Sequence, residues 1–218
     1  MSRLWLLRTG TAILTVLCAA LVACGGSELL SEQTFELPAA GFSLKADPQL
    51  FTIVTGEALE RALSPDFLHA KAEQGLRAVM WVDLKTKSSE KGAGAFVYLA
   101  DGSAMVDVDA LGSLLGMDGV IQSTYEKLAK QLASSESALS TPSPMRTVVL
   151  GGAKGFSTDY ELMDGTALYH RREYYLMSKT HAYWISVFAP RKLWQARQEA
   201  FVGTVESFGI INPSDRVQ

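Results

Sequence analysis

Gly155–Met177 reads GFSTDYELMDGTALYHRREYYLM, and Ala182–Phe188 follows it as AYWISVF. Asp164-Gly165 sits between two arms rich in β-formers, Gly155–Met163 and Thr166–Met177. Asp-Gly flanked by such arms is the strongest short-range hairpin signal. A second turn at Ser178–Thr180 leads into a third strand, Ala182–Phe188, which is apolar at nearly every position. Such a strand is buried on both faces, so the sheet it joins must be covered on both sides. Pro190 then opens a helix, where its missing N–H costs nothing. Trp194, Phe201 and Val205 share one side of that helix at spacings of seven and four. A short strand over Ser207–Ile211 ends the pattern.

Reading back from this block, Pro142 and Pro144 mark Ser137–Pro144 as a loop that stops a helix over Val120–Leu139. In that helix Ile121, Tyr125, Leu128, Leu132 and Leu139 line one face, and Glu126 with Lys130 forms an i,i+4 pair on another. Ala95–Leu99 and Ala104–Val108 read as strands around Asp101-Gly102, and Leu76–Leu84 as a strand buried at its centre. Nearer the start, Gly41–Lys45 and Phe51–Thr55 are strands separated by Asp47-Pro48, with a short helix over Glu57–Ala62. The expected fold is α+β, a mainly antiparallel sheet with helices on both faces, an α/β/α sandwich.

Tyr169, Arg171–Leu176, Tyr183–Pro190, Trp194 and Val205–Phe208 together resemble the end of PsbP-like and DcrB-like proteins. There a hairpin leads to a strand, an Ala-Pro step, a helix and a terminal Ser-Phe strand. The earlier GFSL segment with its following proline and Phe51 is similar to the opening strand of that family. The resemblance implies the same sandwich fold, and an accessory, binding or assembly role in place of catalysis. It carries over no catalytic residue.

Residues 1–23 have a different character. MSRLWLLRTG contains Arg3 and Arg8 and no acid, and TAILTVLCAALVA follows, apolar apart from two threonines. A basic start before an apolar run of about 13 residues is the form of a secretory signal, too short for the roughly 20 that span a bilayer. Leu21-Val22-Ala23-Cys24 resembles the lipobox of bacterial lipoproteins. That implies cleavage before Cys24, acylation of its thiol and retention on a membrane, since each buried methylene adds about 0.8 kcal/mol of affinity. Gly25 in place of an aspartate favours the outer membrane, facing the periplasm. The expected organisation is a signal peptide at 1–23, a lipidated cysteine and tether at 24–34, one globular domain at 35–212 and a tail at 213–218.

Composition narrows the function. Removal of residues 1–23 leaves about 195, enough for one domain with a core. Cys18 leaves with the signal and Cys24 is lipidated, so stability must come from burial without a disulfide. The chain has 20 Lys and Arg against 23 Asp and Glu, net −3, and loses two arginines with the signal. Mild acidity without a basic cluster argues against nucleic acid as a partner.

Chemistry-bearing constellations are sparse. His69 has no acid or cysteine at ligand spacing, and His170 and His181 stand far apart on neighbouring strands, so no metal or cofactor is expected. His170 and Glu173 point to opposite faces. Asp101, Asp107, Asp109 and Asp118 miss the calcium-loop pattern, and Gly151–Gly155 lacks the end of a phosphate loop. No nucleophile motif occurs, so no catalytic residue is assigned. The remaining cluster is His170, Arg172 and Tyr174 on one face of a strand, opposite Arg171, Glu173 and Tyr175. The first three are the candidate binding residues, and the plainer account is a strand simply exposed in its middle, with Arg171 or Arg172 paired to a neighbouring acid. The function expected is a non-enzymatic, membrane-anchored binding protein for an envelope protein or component. The alternatives are a small-ligand module with an aromatic-lined pocket and, behind it, an envelope hydrolase.

Overall fold

The computed structural model describes residues 32–85, 92–100, 119, 122–123, 125–131, 133–134 and 139–217. The signal and Cys24, the acids at 101, 107, 109 and 118, the strand expected at 104–108 and parts of the helix expected at 120–139 lie outside the described residues.

Among the described residues, ten strands and three complete α-helices follow in order. They are β1 (Gln33–Leu37), β2 (Phe42–Ala46), β3 (Phe51–Thr55), α1 (Gly56–Ala62), α2 (Pro65–Glu73), β4 (Leu76–Leu84), β5 (Gly94–Ala100), β6 (Arg146–Leu150), β7 (Ala153–Asp164), β8 (Ala167–Met177), β9 (Ala182–Pro190), α4 (Arg191–Glu206) and β10 (Gly209–Ile210). A further helix, α3, includes residues 125–131. Among the described residues the main sheet has seven strands in the order β3-β4-β5-β9-β8-β7-β6, and its ladders are antiparallel. A smaller sheet runs β1-β2-β10.

The β7–β8 hairpin is the long spine of this sheet. Its closing pair is Asp164 with Ala167, so the two loop residues are Gly165 and Thr166, one place later than the Asp-Gly signal suggested. Gly165 takes the left-handed conformation, φ 59°, that such a loop requires. Gly155 is needed for another reason. A Cβ there would fall 1.7 Å from the Tyr175 carbonyl oxygen, so only glycine lets β7 approach β8.

Layers form on both faces, as the doubly buried strands require. Trp194, Phe201 and Val205 of α4 are buried against the sheet at the spacings the sequence displays. Pro190 ends β9 and caps α4, whose first turn starts at Arg191. The small sheet shares this face, with Phe42 stacked on Phe208 at 5.1 Å and edge-on to Tyr183. On the opposite face, Leu59 of α1 and Phe67 of α2 pack with Phe96, Tyr98, Trp81 and Phe188.

Three elements differ from the sequence reading. β1 begins at Gln33, inside the stretch read as tether. α2 and β6 were not anticipated. α2 nonetheless has a recognisable start: the Ser64 hydroxyl accepts from the Phe67 N–H, Pro65 stands in the first turn, and Asp66 favours the helix dipole.

Candidate functional site

The sheet holds two charged clusters, one on each face, and β8 contributes to both because its side chains alternate. On the α2 face, Glu173 is fully buried. The register sets Thr158 of β7 on one side of it and Ser186 of β9 on the other. Tyr160 donates its hydroxyl to Oε1 at 2.9 Å, Ser186 donates to Oε1 at 3.1 Å, and the Trp184 indole N–H donates to Oε2 at 2.5 Å. The Arg171 guanidinium stands 3.9 Å away, about a third of its side chain exposed, and also lies over the Phe188 ring. Burial pushes the Glu173 carboxyl above its ordinary range, and the charge of Arg171 and the three donors only partly offset it. The neighbouring Tyr98 and Tyr160 are raised in turn, first by burial and then by the charge of Glu173.

Around this acid the aromatic rings form continuous rows across the strands. Phe156, Tyr175, Trp184 and Tyr98 follow one another from β7 to β5 at centroid spacings of 5.0, 5.7 and 5.6 Å. Trp81, Phe96 and Phe188 form a second row, at 5.5 and 5.6 Å. Cross-strand neighbours lie close enough for such contacts, each worth about 0.2–1 kcal/mol. Lys71 of α2 reaches over them, its ammonium 4.8 Å from the Trp184 centroid and 5.4 Å from that of Tyr98. Burial lowers the Lys71 pKa, opposed by attraction to Glu173. Between Gln74 and Gln131, Phe156, Tyr175 and Trp184 of the first row floor a pocket of about 450 Å³.

On the α4 face, Asp159 of β7 pairs in register with Arg172 of β8. It accepts from Arg172 Nε at 2.6 Å and lies 3.0 Å from His170 Nε2. The Trp194 ring closes over both partners, 4.2 Å from the His170 ring and 5.4 Å from the Arg172 guanidinium. Burial alone would raise the Asp159 carboxyl, but its bonds to His170 and Arg172 and their charge outweigh that and hold it below its ordinary range.

No protein-family model matches the chain, and no curated protein matches it. A solved structure does. The solution structure of cyanobacterial PsbP (CyanoP) from Synechocystis sp. PCC 6803 is similar over 86 % of this chain and 97 % of its own, with a TM-score of 0.54 at 14 % identity. The globular fold is PsbP-like. At that identity the likeness is one of fold alone.

Within this PsbP-like sandwich the three candidate binding residues share the α4 face of β8, as their alternation requires. His170 and Arg172 meet on Asp159, with 17 % and 18 % of their side chains exposed, and Tyr174 is buried beside Arg172. Arg171, Glu173 and Tyr175 face the other way. His69 does have an acid at ligand spacing: in α2 its Nε2 lies 3.3 Å from Glu73, one helical turn on. The pair is not visible in the sequence because α2, which brings the two side chains together, has no buried stripe to announce it. Among the described residues no three His, Cys, Asp or Glu side chains converge as metal ligands.

Lys71, Tyr160, Trp184 and Ser186, which surround Glu173, were not singled out from the sequence. The signal that could have found Lys71 is the Ser64-Pro65-Asp66 helix start. The others depend on strand order, which no local pattern specifies.

Proposed function

We propose that this protein is a non-enzymatic accessory protein of a bacterial envelope, held at a membrane by acyl chains on Cys24 and binding an envelope protein or component through its PsbP-like domain. One observation carries the non-enzymatic part of this reading: the mid-sheet charges face one another. Asp159 is occupied by His170 and Arg172 beneath Trp194, and Glu173 by three neutral donors. A general acid or base must reach a substrate proton directly or through one water. Carboxylates already accepting from neighbouring side chains suit a scaffold better than turnover. The resemblance of the C-terminal block to accessory proteins points the same way, and Leu21-Val22-Ala23-Cys24 supports the anchor.

Intact-mass analysis of membrane-purified protein, beside Cys24→Ala, tests the anchor. The expected mass starts at residue 24 with added acyl groups, and the variant loses them. An unlipidated wild-type mass would refute anchoring. Crosslinking in intact membranes tests the binding role, with a reproducible partner expected and none counting against it. Alanine at His170, Arg172 and Tyr174 then assigns the contact. Capture reduced in a folded variant places the partner beside α4, and undiminished capture makes the three residues internal struts.

A further inference from the structure

We infer that the pocket between α2 and α3 is a binding site for an uncharged, planar aromatic ligand, separate from the Asp159 cluster. Its floor is the run of rings Phe156, Tyr175 and Trp184, one each from β7, β8 and β9. The rings stack on one another across the strands, at 5.0 and 5.7 Å with planes 30° and 19° apart, so they turn a row of ring edges toward the pocket. The face of a flat aromatic ligand meets such edges in the edge-to-face arrangement, which a saturated molecule of the same area cannot match. Ala100 and Ala182 stand at the edge of the floor, where larger side chains would fill the space. The volume of about 450 Å³ lies within the range, roughly 300–1,000 Å³, of small-molecule sites.

The charge of the ligand follows from what surrounds this floor. None of the described residues lining the pocket is charged, and its polar side chains include the amides of Gln74 and Gln131 at the rims. An ionic ligand would leave water without a counter-charge from the described lining, which is costly. A cationic ligand is disfavoured further, because Lys71 already occupies the cation position over Trp184 and Arg171 lies on the same face. Gln74 and Gln131 supply neutral donors and acceptors suited to a hydroxyl, carbonyl or ring nitrogen at the edge of the ligand.

The test uses purified full-length protein with 2-naphthol as probe and decahydro-2-naphthol as its saturated counterpart, followed by NMR of the tryptophan indole and glutamine side-chain amide signals. The expected result is saturable shifts at Trp184, Gln74 and Gln131, with 2-naphthol binding about fivefold or more tighter than the saturated alcohol. Equal affinity for the two would overturn the aromatic assignment, and no saturable shift would overturn the site. Ala100→Phe should weaken 2-naphthol binding at least tenfold by filling the pocket. Gln131→Trp, at an exposed position on α3, should do the same by covering the mouth without disturbing the sheet. Undiminished binding to either variant, with wild-type near-UV circular dichroism, would show that the probe binds elsewhere.

Discussion

Asp159 and Glu173 lie on adjacent strands of one sheet, each nearly out of water, and their carboxyl groups are displaced in opposite directions. The contrast separates two ways of burying an acid. Asp159 keeps 18 % of its side chain exposed and has an arginine and a histidine within 3.0 Å. Glu173 keeps none, its close donors are neutral, and its nearest arginine is at 3.9 Å. Burial is the largest influence on both. Direct hydrogen bonds to His170 and Arg172 reverse it for Asp159, whereas neutral donors only soften it for Glu173. One face of the sheet therefore favours an ionised acid, and the other tolerates it.

Breaking the deeper cluster should have the largest effect. Glu173→Ala strands Arg171 and leaves the Tyr160, Trp184 and Ser186 donors without an acceptor. Removing one partner of a buried ion pair costs about 3–5 kcal/mol, and the partial exposure of Arg171 places the expected loss near the lower end, about 3 kcal/mol in urea unfolding. Glu173→Gln sharpens the point through pH. With its folded-state pKa raised, Glu173 contributes most while protonated, and that contribution declines as pH rises above about 4.3, the ordinary glutamate value. The stability of wild type relative to Glu173→Gln should therefore fall from pH 4 to pH 7. A flat or rising difference would refute the upward displacement.

The opposite face gives a smaller loss with the opposite slope. Asp159→Asn replaces charge-assisted bonds to His170 and Arg172, for which about 1.5–3 kcal/mol is expected at pH 7. Because the folded-state pKa of Asp159 is depressed, this contribution is complete above about pH 4 and disappears as pH falls through the folded value. Unfolding at pH 7 and pH 3 should show the gap between wild type and variant narrowing in acid. A constant gap would mean that the aspartate acts by shape alone.

The sequence displayed the two faces but not their contents. Alternation along β8 separates His170, Arg172 and Tyr174 from Arg171, Glu173 and Tyr175, and the structure keeps that division. Which acid or donor each residue meets depends on β7 and β9 flanking β8 in a given register, and no periodicity encodes that. The same limit explains the missed elements. β1 and β6 are outer strands of their sheets with mostly exposed side chains, so neither shows the long, nearly continuous apolar run that reveals β4, β5 and β9. α2 has no fully buried residue and hence no clear apolar stripe, and only its capping residues announce it. α4, with three large apolar residues turned to the core, was fully legible.

The finest test concerns Lys71, which α2 contributes to the Glu173 face. Its ammonium lies over Trp184 and Tyr98, and its attraction to Glu173 competes with its desolvation. Lys71→Met keeps the apolar stem on the rings and removes only the charge. A cation–π contact at a partly exposed site is worth about 0.5–1 kcal/mol, so the stability change at pH 7 should be no larger than that. Its consequence for Glu173 is more informative. Without the lysine, one of the cationic influences on the acid disappears, and its folded-state pKa should rise further. The decline of wild-type stability against Glu173→Gln should then be steeper when both proteins also carry Lys71→Met. An unchanged decline would show that Arg171 alone supplies the cationic influence on this face, and that Lys71 serves the aromatic row without serving the acid.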